Sequence, residues 1–369
     1  MQNPSSQTAP PTAPPTAAAP RAAFVTGGSG FVGSRLIALL VSCGWQVKGL
    51  ARSPEAMEAV HRAGAIPVQG DLTDASALRS GMEGCEAVFH VAAHFKLWGP
   101  RAVFDRVNVE GTRAVVDAAI ATSGLRRVVA VSAAAVVMGD PEPMAEADER
   151  LPLQTRGFAP YSSSKAEGER LLLAANNRRP GFETIAIRPP FIWGPDMPTL
   201  DHMVETVQAG RFQWVGGGGQ AMSTCHVDNL CQALLLAVDN GRGGEAYFVS
   251  DGENGTLKGV ISALLATRGV VPKDRAVPFR LAWMMAGIMG AAWRLLGRGG
   301  EPPITRQMLR LIGKPFTISI AKARADLGYV PRVSFAEGIA AMGRGTPAVQ
   351  AVPGLGQPAP APALTPAAP

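Results

Sequence analysis

The sequence is sparing with the residues that build metal sites and disulfide frames. Its four cysteines, Cys43, Cys85, Cys225 and Cys231, show no CxxC spacing, which argues against a disulfide frame or zinc ribbon and for reduced thiols in a cytosol. The five histidines, His61, His90, His94, His202 and His226, form no HExxH-like pair, so no metal is expected at the site. Charge is absent from residues 1–20 and 345–369, which are rich in Pro and Ala. Such segments bury too little apolar surface to offset backbone ordering, and both are read as disordered tails. The first has neither a basic start nor an apolar core and is not expected to be a secretory signal. Basic clusters are missing too. Lys and Arg total 35 against 29 Asp and Glu, a net charge of +6 spread with no run longer than the pairs Arg126-Arg127 and Arg178-Arg179. No nucleic-acid partner is expected from that pattern, while an anionic ligand suits it.

What remains alternates. From residue 22, "AAFVT", "WQVKGLA", "AIPVQG", "EAVFHVAA", "RRVVAVSAA" and "FETIAIRP" read as strands. Helix-period segments separate them at 31–43, 55–63, 74–82, about 105–123 and about 160–177. Strict alternation implies an α/β fold, a doubly wound parallel sheet of Rossmann type over residues 21–190. After Pro189 the pattern turns mainly helical with Gly and Pro breaks, so residues 191–344 are expected to form a smaller C-terminal lobe, with some interleaving between the two.

"FVTGGSGFVGSRLIALL" sets glycines between the first strand and the first helix. Gly28, Gly30 and Gly33 satisfy GxGxxG, and Gly27, Gly30 and Gly33 give GxxGxxG. Glycine serves here because the backbone must turn sharply and approach a pyrophosphate, which the free N–H groups of the helix start (Phe31, Val32 and Gly33 lead it) then bind. A tight turn with no ligand is the bland alternative. Another absence bears on the cofactor. NAD sites carry an acid about 20 residues on, for the ribose 2′-hydroxyl. Between Ser34 and Pro54 no acid occurs, and Arg52 ends the second strand instead. Its planar fork suits a 2′-phosphate, so NADP(H) is favoured over NAD(H), unless Arg52 is an ordinary surface arginine.

"YSSSK" places Tyr161 and Lys165 four residues apart on one helix face after Pro160. A lysine ammonium beside a phenol favours the ionised form, which is what a tyrosine acid/base needs near neutral pH. These motifs, with "GDL" (Gly70-Asp71-Leu72), "HVAA" (90–93), "VNVEGT" (107–112), "RPPFIWGP" (188–195) and "HVDNL" (226–230), resemble the extended short-chain dehydrogenase/reductase family over about residues 22–340. "HVAAHFKLWGP" and the region from Arg306 resemble its 3β-hydroxysteroid dehydrogenase and dihydroflavonol-reductase-like branch. The resemblance implies that Gly27, Gly30 and Gly33 cradle the pyrophosphate, that Asp71 and Leu72 lie beside the adenine, and that Ala92 and Ala93 line the inner ribose. It makes Tyr161 the acid/base and gives Lys165 two tasks, holding the nicotinamide ribose and lowering the tyrosine pKa. Asp228 is expected to cap a helix, and Asn108 to make a structural hydrogen bond.

The same pattern puts a Ser or Thr at the end of the fifth strand, and here that position is Ala134. Ser132 is two residues earlier, on the same side of a strand but about 6.5 Å back, and could serve as a catalytic hydroxyl through a water or a bulge. The function expected is reversible hydride transfer between NADP(H) and a secondary alcohol or ketone on a bulky, apolar, sterol-like substrate. Two rivals stay open: a nucleotide-sugar epimerase or dehydratase, and a non-catalytic NADP-binding sensor, to which Ala134 lends weight. The segment "PFRLAWMMAGIMGAAWRLLG" (278–297) has an uncharged core from Leu281 to Trp293, too short to span a bilayer. It is read as a core helix, a lid over an apolar pocket or a helix lying on a membrane surface. No signal for oligomeric state is present.

Overall fold

Strands Ala22–Thr26, Ala87–His90 and Arg127–Val131 are buried almost throughout, as central strands covered on both faces must be. They form the middle of the fold in a computed structural model that describes residues 20–139 and 142–343; the segments read as tails lie outside the described residues except for Pro20. In chain order the elements begin β1 (Ala22–Thr26), α1 (Phe31–Ser42), β2 (Gln46–Ala51), α2 (Pro54–Arg62), β3 (Ile66–Gln69), α3 (Ala75–Met82) and β4 (Ala87–His90). Next come α4 (Arg101–Asp105), a π-helical turn over Arg106–Glu110, α5 (Gly111–Ala121), β5 (Arg127–Val131), β6 (Met144–Ala147), α6 (Pro160–Leu173), β7 (Glu183–Arg188) and β8 (Phe191–Trp193). The remainder comprises α7 (Pro198–Gln208), β9 (Trp214–Val215), β10 (Ala221–His226), α8 (Val227–Asn240), β11 (Ala246–Phe248), β12 (Asn254–Thr256) and α9 (Leu257–Ala266). It closes with β13 (Ala276–Val277), α10 (Phe279–Leu295), α11 (Arg306–Ile312), β14 (Phe316–Ile318), α12 (Ala321–Leu327) and α13 (Phe335–Met342).

The large sheet has the order β11-β7-β5-β4-β1-β2-β3, and every pairing in it is parallel. Leu36, Ile37 and Leu40 of α1 and Leu230 and Leu234 of α8 cover one face. Leu78 and Met82 of α3, Val115 and Ala119 of α5, and Leu172 of α6 cover the other. Strand order reverses between β1 and β4, so the loops leaving their C-terminal ends open a crevice where such sheets bind ligands. The fold class is the one the sequence implies.

Two local readings differ. The helix expected at about 105–123 begins at Arg101 and passes through the π-turn that carries Asn108. The helix expected to reach 177 ends at Leu173, and Asn177 takes φ 60°, a left-handed position that turns the chain back into β7. The lobe after residue 190 is mainly helical with interleaved contributions, as expected, and has short strands beside its helices. It holds a small sheet of order β12-β10-β14-β6, with β8 also on β10, and a short β13-β9 pair. Strand β11 returns to the large sheet, and β6, from before residue 190, joins the small one.

Candidate active site

The glycine loop leaves β1 as expected. Gly27 has φ +72°, and a Cβ there would lie 2.7 Å from the Ala92 backbone nitrogen; a Cβ on Gly33 would lie 2.1 Å from the Gly27 carbonyl oxygen. The loop therefore closes tightly against the end of β4 and tolerates no side chain at either place. Gly30 begins α1 without a side-chain cap, and no acid occupies the first turn, so the first N–H groups of that helix are free to bind an anion. This cradle fits the pyrophosphate of a nicotinamide cofactor. At the far end, Arg52 is exposed at the end of β2 and makes no hydrogen bond or ion pair among the described residues. Asp71, beyond β3, accepts from the Thr73 amide and hydroxyl at 2.7 and 2.6 Å, which holds its carboxyl below the usual range, with Arg52 adding to the effect.

A buried polar chain fixes the β4 loop. The Ala92 N–H donates to the Thr26 hydroxyl at 3.3 Å, which contacts His90 Nδ1 at 2.8 Å; His90 Nε2 contacts the Thr112 hydroxyl at 3.1 Å, and that hydroxyl donates to the Asn108 carbonyl at 2.8 Å. A carbonyl accepts only, so Thr112 must receive the Nε2 proton and Thr26 must donate to Nδ1. His90 is thus a neutral Nε2–H tautomer. Burial, with the Lys165 charge adding, pushes its pKa down to about 3. Asn108 holds the neighbouring turn: its Oδ1 accepts from His94 N–H at 2.8 Å and its Nδ2 donates to the Ser164 hydroxyl at 3.0 Å, the structural role expected.

Tyr161 and Lys165 share helix α6. Pro160 at the first helical position lacks an N–H, and the orphan N–H of Tyr161 is taken by Gln307 Oε1 of α11 at 2.9 Å. Gln307 Nε2 in turn donates to the Lys96 carbonyl at 2.6 Å, so one buried side chain joins the start of α6 to the 94–99 loop. The Phe95 ring meets the Tyr161 ring edge-on at 4.9 Å, and among the described residues no group bonds the phenol hydroxyl. Sequence spacing implied a phenol made more acidic by Lys165. Here burial alone moves it, and upward. The physical reason is the lysine's direction: its Nζ donates to the Val131 carbonyl at 2.6 Å at the end of β5. Burial lowers the Lys165 pKa to about 8, with Glu169 opposing.

The Ser132 hydroxyl is engaged by a buried carboxylate. It donates to Glu169 Oε2, and Glu169 in turn holds Arg188 through bonds of 2.5, 3.0 and 3.1 Å. Both ions are buried, at 0 and 4% exposure. Ala134 is buried among Ala133, Val136, Val137 and Ala166, a cluster against which Tyr161 packs. The Glu169–Arg188 pair and Gln307 were not singled out from sequence; the traceable signals were an acid four residues after Lys165 and an arginine ending an apolar strand. Asp228 does not cap α8. His226 does, accepting from the Asp228 N–H at 3.2 Å, while Asp228 faces Arg35 at 3.6 Å. Asp251 anchors this region, accepting from Trp193, Thr224, His226 and Asn229 at 2.6–2.7 Å.

Half-exposed aromatic rings carry contacts to Tyr161 or to α10. Phe95 and Phe158 are 48 and 47% exposed, and Phe158 meets Trp283 of α10 edge-on at 5.5 Å. The sequence profile of the 3-beta hydroxysteroid dehydrogenase/isomerase family matches residues 24–276. A 4-hydroxy-2-methyl-3-oxo-4-farnesyl-3,4-dihydroquinoline-1-oxide ketoreductase of Stigmatella aurantiaca is 40% identical over 328 residues, covering 89% of this chain and 97% of its own. A 3 beta-hydroxysteroid dehydrogenase/Delta 5-->4-isomerase of Mycobacterium tuberculosis is 34% identical, with 83 and 85% covered. Among solved structures, a dTDP-glucose 4,6-dehydratase of Streptomyces venezuelae with NAD bound superposes with a TM-score of 0.67 at 25% identity, covering 87% of this chain and 95% of that one.

Proposed function

We propose a specific reaction for this chain, which belongs to the 3-beta hydroxysteroid dehydrogenase/isomerase family and is a nicotinamide-dependent oxidoreductase acting on CH–OH and ketone groups: NADP(H)-dependent interconversion of a ketone and a secondary alcohol on a bulky apolar substrate. The observation that carries it is the Tyr161 hydroxyl, unpartnered among the described residues, on a ring that packs edge-on against the half-exposed ring of Phe95. When bound, the cofactor supplies or accepts hydride. Tyr161 delivers the proton to the carbonyl oxygen in reduction, or takes it in oxidation. Lys165, with its Nζ on the Val131 carbonyl at the end of β5, is the residue that would hold the nicotinamide ribose. Arg52 provides the charge for a 2′-phosphate, which supports NADP(H). The apolar rings near Tyr161 suit a sterol-like ring system or an isoprenyl chain, such as those in the names of the two relatives.

The test is NADPH oxidation by the purified protein against ketosteroids, flavanonols and ketones bearing long alkyl or farnesyl chains. Tyr161→Phe should lower turnover by roughly 10²–10⁴ while cofactor binding persists, and Lys165→Ala should damage both. Turnover that survives in the Phe variant overturns the reading. Substrate conversion without net NADPH consumption would favour an epimerase, and cofactor binding without any turnover a sensor.

A further inference from the structure

Helix α10 presents its apolar residues inside out for a core helix. Its small residues, Ala282, Ala286 and Gly290, are one turn apart and buried. Leu281, Met284, Met285, Ile288 and Leu295 are 43, 54, 42, 64 and 87% exposed. Exposing large apolar side chains forgoes burial worth roughly 25 cal/mol per Å², and a continuous patch of this kind marks an interaction face. The helix has 17 residues, a face about 25 Å long. Among the described residues no helix is long and apolar enough to cross a membrane, so a bilayer would meet this face lengthwise.

Charge identifies the occupant. Between Asp274 and Glu301 there is no carboxylate but four arginines, Arg275, Arg280, Arg294 and Arg298. Arg280, Arg294 and Arg298 are exposed without a carboxylate partner among the described residues. Arg294 lies over Trp98 at 4.8 Å and Arg298 over Trp293 at 5.2 Å. Glu301 is paired with Lys96 at 3.8 Å. Two copies meeting through this face about a two-fold axis would bring unneutralised arginines together. Arginine and tryptophan flanking a large apolar stripe instead match the headgroup layer of an anionic bilayer.

We infer that α10 docks this protein on anionic membrane surfaces, and, on the reading of an apolar ketone substrate given above, that it sets the active-site mouth at the level from which such a substrate leaves the lipid. The helix touches two segments close to Tyr161 in the fold or in the chain. Trp98, three residues after Phe95, lies against Gly290, and Trp283 meets Phe158, three residues before Tyr161.

The full chain is floated with vesicles of phosphatidylcholine containing about 30% phosphatidylglycerol, and with pure phosphatidylcholine vesicles. The wild type should partition to the anionic vesicles roughly tenfold better than to the neutral ones, and high salt should erase the difference. Met284→Glu with Ile288→Glu should lower anionic partitioning at least roughly tenfold. Both residues are exposed, so the melting temperature should hold; Leu281→Gln serves as a second variant should the double one misfold. A wild type that stays in the soluble fraction, or variants that float as it does, overturns the inference. So does a wild-type dimer that the variant breaks, which would assign the face to a second copy. Flotation requires no turnover: a protein that floats yet oxidises no NADPH keeps the docking face and loses the proposed reaction, and one that oxidises NADPH without floating does the reverse.

Discussion

Glu169→Gln tests how the reacting helix is held. The carboxylate is fully buried; it receives the Ser132 hydroxyl and three bonds from Arg188, itself 4% exposed. An amide in its place keeps the shape but removes the charge, leaving a guanidinium buried without a counter-ion. Breaking one side of such a pair costs about 3–5 kcal/mol. At roughly 1.5 °C per kcal/mol for a folded body of about 320 residues, the melting temperature should fall by about 4–8 °C. A second readout follows from Lys165, four residues earlier. Burial lowers its pKa to about 8 and Glu169 opposes that shift, so losing the carboxylate moves the pKa further down. The lysine then loses its proton at lower pH, and the alkaline limb of kcat/KM should shift to lower pH, a change that loosened packing alone would not produce. Glu169→Leu with Arg188→Met, which removes both ions, should regain much of the stability but not the pH profile. A Gln variant that melts within about 2 °C of the wild type and keeps its pH profile refutes the reasoning, because a buried unpaired cation cannot be that cheap.

The glycine loop and the Tyr161–Lys165 pair are legible because each is local: a turn chemistry within a few residues, and a helical spacing of four. The partners that orient them are distant. Ser132 and Glu169 are 37 residues apart, Arg188 and Glu169 19, and Tyr161 and Gln307 146. Periodicity carries no information about such pairings; they arise when β5, β7 and α11 are brought around α6. Lys165 shows the same limit in direction. Spacing put it on the tyrosine's face, but a free carbonyl at the end of β5 took its ammonium. The strands of the small lobe escaped for another reason. "MAEA" of β6 has helix-forming residues and pairs with β14 only because the tertiary fold brings it there. The other lobe strands run only two to six residues, most of them two or three, and read as loops.

Arg52→Asp should weaken NADP(H) binding selectively by removing a charge-assisted contact to the 2′-phosphate; equal wild-type affinities for NAD(H) and NADP(H) in titrations would count against it. Gln307→Ala leaves the Tyr161 N–H without its cap, so about 1 kcal/mol of stability should go and kcat should fall with KM steady, whereas an unchanged kcat would leave Gln307 a packing residue. His90 has a folded pKa of about 3 against about 6.5 unfolded, so nothing is lost above pH 6.5, and below it only the unfolded chain takes the proton. Stability should therefore fall from about pH 6.5 downward, by about 2 kcal/mol at pH 5, and urea midpoints should show less of this slope in His90→Gln; equal slopes would acquit the histidine. Ala134→Ser returns to the end of β5. Ser132 is committed to Glu169, so it cannot supply the hydroxyl that this position usually gives, and Ala134 lies in the cluster against which Tyr161 packs. Its N–H is pinned to the Pro189 carbonyl at 2.8 Å, so a new side chain must point where the methyl now points. If that is the substrate oxygen, the added donor strengthens as negative charge develops, and kcat should rise by up to roughly tenfold with little change in KM. Facing plain core, the same hydroxyl would be buried unpaired, at a cost of about 1–3 kcal/mol and with no gain in rate. The two outcomes differ in sign, and a melt beside a turnover assay separates them: a serine variant both less stable and no faster would show that this site works without the hydroxyl.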